Sequence, residues 1–139
     1  MVEGFELLEH TADIGIAARA ASWPGLLQQL ARGWRRIVCG ESEIAATTGL
    51  KRTIRGDDRE ELLVNLLNEL IFLLETRNFL TAEIQIDSAT DEVLNLQLQG
   101  ETYDPGRHQW QQEVKAATYH QLKIEQQGDS WQAQVYLDL

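Results

Sequence analysis

The sequence predicts an α+β fold, a single-domain sandwich in which a mostly antiparallel sheet carries two amphipathic helices on one face. Apolar residues at helical spacing in residues 23–39 and 57–77 predict the two helices. Strict alternation of apolar and polar residues in 83–87 and 94–99 predicts strands with one buried and one polar face, as antiparallel sheets have. With 139 residues, the chain has the length of one domain, 1–139, with its own core.

The N-terminal part is predicted to form two strands and the first helix. Residues 4–9 and 14–20 have the composition of short strands on either side of a turn. The first helix, over 23–39, begins after Ser22, whose hydroxyl can accept a backbone N–H, and Pro24 lies in its first turn, where no N–H is required.

The second helix has the strongest pattern in the chain. After a loop over 41–49 and a strand over 50–56, Asp57 can cap the helix and Glu60 can reach back to it. The leucine repeat then continues to about Arg77. Beyond Asn78 the period changes to two, and this predicts strands around 83–87, 94–99, 114–124 and 131–139.

Net charge limits the classes of partner. The chain has 12 Lys and Arg against 22 Asp and Glu, a formal charge of −10. This balance argues against direct nucleic-acid binding, which needs cations to displace the counterions of phosphates, and against an anionic membrane surface. It fits a basic protein partner, a cation, or solubility alone.

Location and redox state follow from two further features. The longest apolar stretch, Leu62 to Leu74, is too short and too polar to span a bilayer, and no signal peptide opens the chain, so we expect a cytoplasmic protein without membrane contact. Cys39 is the single cysteine, so no intrachain disulfide can form, and we expect it to be buried and structural.

The end of the chain places acidic groups close together. Alternation in 131–139 puts Asp138 on the face opposite the apolar residues, and the carboxylate that follows Leu139 would lie beside it. Two adjacent anions repel unless a cation or donors lie between them, and oxygen ligands of this type suit Ca²⁺ or Mg²⁺. Asp13, in a turn next to a strand, is a candidate third ligand. On the spacing alone, a frayed, solvated C-terminus is the favoured alternative.

The three histidines, His10, His108 and His120, could be ligands, acid–base groups or hydrogen-bonded structural residues, and the structural alternative is favoured for each alone. The sequence contains neither a glycine-rich phosphate loop nor a nucleophile elbow.

Strict alternation after residue 114 predicts that His120 lies on the same side as Leu122 and Ile124, with Lys115 on the opposite side. A bulge near Thr118 would change this assignment.

Three motifs and the acidic C-terminus resemble the archease family over essentially the whole chain, in the same order. The motifs are Phe5–Ile16 with its His-Thr-Ala-Asp string, the helical Leu62–Leu70, and Gly100–Pro105 with His108 followed by Glu113–His120. Asp138 completes the pattern, and Leu139 is a mild departure from the β-branched residue that often ends the family's sequences.

The resemblance implies a function. Archease is an accessory protein of the RtcB-type RNA-splicing ligase, which it helps to form a covalent guanylate on a histidine and to turn over repeatedly. Related descriptions call it a chaperone or modulator. The family carries a divalent-metal site, seen with Ca²⁺, and Mg²⁺ or Mn²⁺ are possible. Carried over by motif, the ligands are Asp13, Asp138 and the terminal carboxylate of Leu139. His10, Lys115 and His120 are then supporting or partner-contacting candidates.

Two other functions compete with the ligase activator. A stand-alone divalent-metal-dependent hydrolase would need several carboxylates and histidines around an open metal position. A general chaperone would need a large exposed apolar patch.

Overall fold

The computed structural model describes residues 3–9 and 12–139, and within them the chain forms two helices and seven strands. In chain order these are β1 (Gly4–Glu9), β2 (Asp13–Ala20), α1 (Trp23–Cys39), β3 (Thr48–Arg55), α2 (Arg59–Arg77), β4 (Phe79–Ala89), β5 (Val93–Thr102), β6 (Ala116–Gln127) and β7 (Ser130–Asp138).

The strands form two antiparallel sheets, with the orders β1-β2-β7-β6 and β3-β5-β4. This confirms the α+β class and the antiparallel pairing, and it divides the predicted strands between two sheets. Helix α1 packs against β2 and β4, and α2 packs against β6 and β4, so each helix contacts both sheets and the sheets share one core.

Local sequence explains where the helices begin and end. Ser22 Oγ accepts the N–H of Gly25 at 3.0 Å, as predicted for the start of α1. The cap of α2 lies one residue later than predicted: Asp58 Oδ1 accepts the N–H of Glu61 at 2.8 Å, and Glu61 Oε1 accepts the N–H of Asp57 at 3.1 Å. Both aspartates are good caps, and the sequence pattern alone did not distinguish them.

The core is formed by side chains from both helices and both sheets. Alternate residues of β2 face α1, where Gly33 lets the helix approach the fully buried Ile16. The leucines of α2 fill the space between the sheets; those fully or almost fully buried are Leu62, Leu63, Leu66, Leu67, Leu70 and Leu73. Neither helix of the described residues is long and apolar enough to cross a membrane.

Strand β6 is irregular. Its pairing with β7 shifts between Thr118 and Lys123, because β6 has extra residues there, and Gln121 has a φ of 54°. The strand also begins at Ala116 rather than at residue 114 as predicted.

Candidate functional site

Asp13 and Asp138 are direct neighbours across two strands. They are Cα partners in the antiparallel pairing of β2 with β7. The N–H of Leu139 donates to the carbonyl of Ala12 at 3.3 Å, so residues 12 and 139 are the hydrogen-bonded pair. Asp13 and Asp138 are therefore a non-hydrogen-bonded pair, in which the side chains share one face and are closest together.

The environment of these two carboxylates is asymmetric. Asp13 Oδ1 is buried and has no hydrogen-bond partner among the described residues, whereas Asp138 is exposed. Like charges directly opposite one another in a sheet are destabilising, and an unpaired buried acceptor costs free energy as well. This donor set fits a hard divalent cation, which would oppose both charges and coordinate the unpartnered oxygen.

The neighbouring residues hold the two aspartates on the sheet face away from α1. Ile14 and Leu137, which flank them, are buried in the core. This confirms the predicted alternation of the last strand, with Asp138 on the polar side. On the other edge of β7, the backbone N–H of Lys115 donates to the carbonyl of Asp138 at 2.8 Å, while the Lys115 side chain is exposed.

An aromatic side chain that the alternation places on the same face, but that the sequence analysis did not assign to the site, is that of Tyr136. Tyr136 precedes Asp138 by two residues and is 5% exposed. Its ring lies over Gly15, where an added Cβ would be 2.8 Å from Tyr136 Cε1. The signal in the sequence was the equal spacing, since Gly15 lies two residues from Asp13 and Tyr136 two residues from Asp138.

The structure corrects the predicted side of His120. Its ring meets that of Tyr136 edge-on, with centroids 6.2 Å apart, and is exposed. It therefore lies on the face of Tyr136, whereas Ile124 is paired with the core residue Ala133. The bulge after Thr118 is the cause, because the extra residues reverse the alternation. His10, the other supporting candidate, lies outside the described residues.

A second polar cluster surrounds His108. The buried Glu101 carboxylate contacts His108 Nε2 at 3.0 Å and also the Arg107 guanidinium. His108 Nδ1 accepts the backbone N–H of Asp104 at 2.9 Å. Burial, and secondarily the Arg107 cation, lower the pKa of His108, although Asp104 opposes this. The imidazole is thus neutral and donates through Nε2–H, which supports the structural alternative for this histidine.

Cys39 is buried, and its Sγ donates to the carbonyl of Arg35 at 3.1 Å. Burial raises the pKa of the thiol to about 11, so the reactive thiolate is disfavoured and the expectation of a structural cysteine is confirmed.

Nowhere in residues 3–9 and 12–139 do three or more His, Cys, Asp or Glu side chains group at metal-ligand spacing.

Comparison with known proteins identifies the family. The archease protein family matches residues 5–139 of the chain. The chain belongs to the archease family. It is 31% identical to protein archease of Methanosarcina barkeri over 97% of this chain and 95% of that protein. It is 32% identical to protein archease of Pyrococcus abyssi, over 97% and 98% of the two chains.

Solved structures with the same fold agree with this assignment to the archease family. Protein 1598 of Methanobacterium thermoautotrophicum superposes with a TM-score of 0.72 at 28% identity, covering 99% of this chain and 100% of that one. A Thermotoga maritima structure described as an archease, possible chaperone, has the same fold, with a TM-score of 0.63 at 23% identity over 95% and 94% of the chains.

Two segments of the archease-like motifs, distant in sequence, lie at one end of the four-stranded sheet. Phe5–Ile16 spans the β1–β2 hairpin, and Glu113–His120 leads into β6. Strand β7 lies between β2 and β6, so Asp138 is opposite both Asp13 and Ala116. The paired carboxylates of Asp13 and Asp138 therefore lie where these two segments are joined by β7.

Proposed function

We propose that this archease-family chain is an accessory protein that activates an RtcB-type RNA ligase in tRNA splicing or RNA repair. It would act in the cytoplasm by promoting guanylylation and multiple turnover of the ligase, without catalysing a reaction alone. The observation that carries the proposal is the cross-strand pair of Asp13 and Asp138, with its buried unpartnered oxygen, between the motif segments Phe5–Ile16 and Glu113–His120.

We further propose that Asp13, Asp138 and the terminal carboxylate of Leu139 hold a divalent cation. Calcium suits an all-oxygen set, and Mg²⁺ or Mn²⁺ are the other candidates. When bound, the cation would supply positive charge that reduces repulsion between the ligase's anions and a nucleoside triphosphate. The chain's own residues position this site: β2 and β7 fix the two carboxylates, and the backbone of Lys115 secures the end of β7.

The net charge of the chain supports docking to a protein rather than to RNA. The chain has a charge of −10, which favours a positively charged surface on the partner and opposes phosphates. The Lys115 backbone N–H donates to the carbonyl of Asp138, and the His120 ring contacts that of Tyr136. Both residues are exposed, and we propose that they contact the ligase. His10 remains a candidate for the same role.

A specific partner is better supported than general capture of unfolded chains. The Thermotoga structure is described as a possible chaperone, and an accessory role with a partner agrees with that description. A general chaperone needs a broad apolar patch. Among the described residues, the large hydrophobic side chains exposed to solvent are Phe72, Trp110 and Tyr119, and they come from α2, a loop and β6.

An RNA-ligation time course tests the function. The RtcB-type ligase of the same source would be limiting, with GTP and Mn²⁺, in the presence or absence of this protein. We expect the wild type to convert a single round of ligation into repeated turnover, and Asp13→Asn and Asp138→Asn to lose most of this effect.

Asp129→Asn is the matched control, since Asp129 is an exposed aspartate in the turn between β6 and β7. It should activate as the wild type does. If the wild type leaves an active ligase at one turnover, the proposed function is wrong. If Asp13→Asn and Asp138→Asn both activate the ligase fully, the proposed function is supported but the acidic site is not required for it.

A further inference from the structure

A cavity of about 290 Å³ lies between the C-terminal parts of α1 and α2 and the loop that follows β5. Its apolar floor is formed by Trp34, Val38, Ile71 and Leu74. Apolar pockets of this size hold small organic molecules in other proteins. The cavity shares no lining residue with the pair of Asp13 and Asp138.

Tyr103 and Trp110 form an aromatic wall of the cavity. The Tyr103 ring stacks on the His108 ring, with centroids 5.8 Å apart, and meets Trp110 edge-on at 5.4 Å. The Tyr103 N–H donates to the carbonyl of Asn78 at 2.8 Å, which ties the wall to the end of α2. Trp110 is 46% exposed, an unusual position for a large aromatic residue, and this places it at the cavity mouth.

The charges on the lining all have one sign. Glu75 and Glu113 line the cavity and are exposed, and no Lys, Arg or His of the described residues lines it.

We propose that this cavity binds a small organic cation, a compact aromatic or aliphatic body that carries a protonated amine. The apolar body would occupy the floor between α1 and α2, while the ammonium group remains at the mouth between Glu75 and Glu113. Tyr103 and Trp110 add cation–π attraction, which is strongest for tryptophan. An anion of the same shape is repelled by both carboxylates.

Tyramine is a suitable probe, because it combines an aromatic body, a phenol oxygen and an ammonium group. Its matched opposite is 3-(4-hydroxyphenyl)propionate, which has the same phenol but a negative charge. Titrations of the ¹⁵N-labelled full chain would follow the indole N–H resonances of its four tryptophans, assigned by single Trp→Phe variants. We expect tyramine to shift the Trp34 and Trp110 resonances, and the propionate to leave them unchanged.

Glu75→Gln combined with Glu113→Gln should weaken tyramine binding roughly three- to tenfold, the scale of two partly exposed charge pairs. Both glutamates are exposed, so the double variant should retain the dispersed spectrum of a folded chain. Glu92→Gln, at another exposed glutamate, should bind as the wild type does. Equal shifts by the anion, unchanged binding by the double variant, or no shift at millimolar tyramine would each overturn the proposal.

Discussion

Both ring nitrogens of His108 are used within the protein. Nδ1 accepts the Asp104 N–H at 2.9 Å, and Nε2 contacts the Glu101 carboxylate at 3.0 Å. The same carboxylate accepts the backbone N–H of Ala45, so Glu101 connects His108, in the loop after β5, to the segment before β3. Protonation of Nδ1 would place two hydrogens between Nδ1 and Asp104 N, and therefore opposes the folded state.

This arrangement predicts a pH-dependent contribution to stability. Because folding lowers the pKa of His108, the contribution is complete above the unfolded pKa near 6.5 and is lost as the pH falls toward the lower folded value. His108→Gln retains a donor toward Glu101 but removes the acceptor of the Asp104 N–H. At pH 7.5 we expect the variant to be less stable by about 1 kcal/mol, the net contribution of one hydrogen bond.

Urea unfolding of the wild type and His108→Gln between pH 7.5 and 5 measures this contribution directly. The difference in the free energy of unfolding should become smaller as the pH falls, because the wild type alone loses the contribution of neutral His108. A constant difference across this range would contradict the assigned protonation state.

The aspartate pair shows which part of the candidate site the sequence could predict and which part it could not. Alternation correctly placed Asp138 on the polar face, because a strand with a period of two allows no other place once its apolar residues are buried. The adjacency of Asp13 depends on β2 pairing with β7, more than a hundred residues apart in the chain. No local pattern specifies that pairing, and the burial of Asp13 Oδ1 follows from it.

At the scale of elements, the contact of α1 with β2 depends on Gly33. A Cβ at this position would lie 2.6 Å from Cγ2 of the fully buried Ile16. Isoleucine is branched at Cβ, so Cγ2 cannot move away without a change of rotamer. The close approach explains a glycine in the interior of a helix, where it would otherwise be unfavourable.

We therefore expect Gly33→Ala to destabilise the protein despite the higher helix propensity of alanine. Overpacking of a core costs about 1–3 kcal/mol and the gain in propensity offsets about 1 kcal/mol, so a net loss of about 1 kcal/mol is expected. The free energy of unfolding in urea measures it.

Ile16→Ala provides the internal control, because it removes the atoms that the new methyl group would meet. In that background Gly33→Ala should be neutral or stabilising, so the two substitutions should be strongly non-additive. Equal effects of Gly33→Ala in both backgrounds would show that the contact with Ile16 is not the reason for the glycine.

The elements that the sequence predicted well are those with long, regular patterns. Helix α2 has nine buried residues at helical spacing, and its existence and extent agree with the prediction. Its cap was misplaced by one residue because Asp57 and Asp58 are chemically equivalent candidates. The side of His120 was wrong because the irregularity around Gln121 has no glycine to mark it, although its φ of 54° is one that glycine adopts most easily.

For the whole molecule, the charge of −10 is a source of self-repulsion, and Asp13 and Asp138 form a close pair of like charges at one end of the four-stranded sheet. Within the described residues, neither Asp13 nor Asp138 takes part in an ion pair, whereas acidic residues such as Glu83 and Asp91 are paired with arginines. Opposed carboxylates without a cation reduce stability, so a bound cation would stabilise the whole fold.

This coupling gives a test that is independent of any ligase. If Asp13 and Asp138 hold Ca²⁺, added CaCl₂ should raise the thermal midpoint of the wild type beyond the effect of NaCl at equal ionic strength. A cation present at one hundred times its Kd stabilises a folded protein by about 2.7 kcal/mol. Each kcal/mol shifts the midpoint of a domain of this size by roughly 4 °C.

Asp13→Asn and Asp138→Asn should lose the calcium-specific shift, while their stability without calcium equals or exceeds that of the wild type, because each removes one of two repelling charges. Asp129→Asn should keep the shift, since it lowers the net charge equally without touching the pair. A shift that all three variants retain would mean that Ca²⁺ acts through the general negative charge, and the proposed site would be wrong. Differential scanning fluorimetry measures these shifts, and its use with Ca²⁺, Mg²⁺ and Mn²⁺ ranks the cations by the stability that each confers.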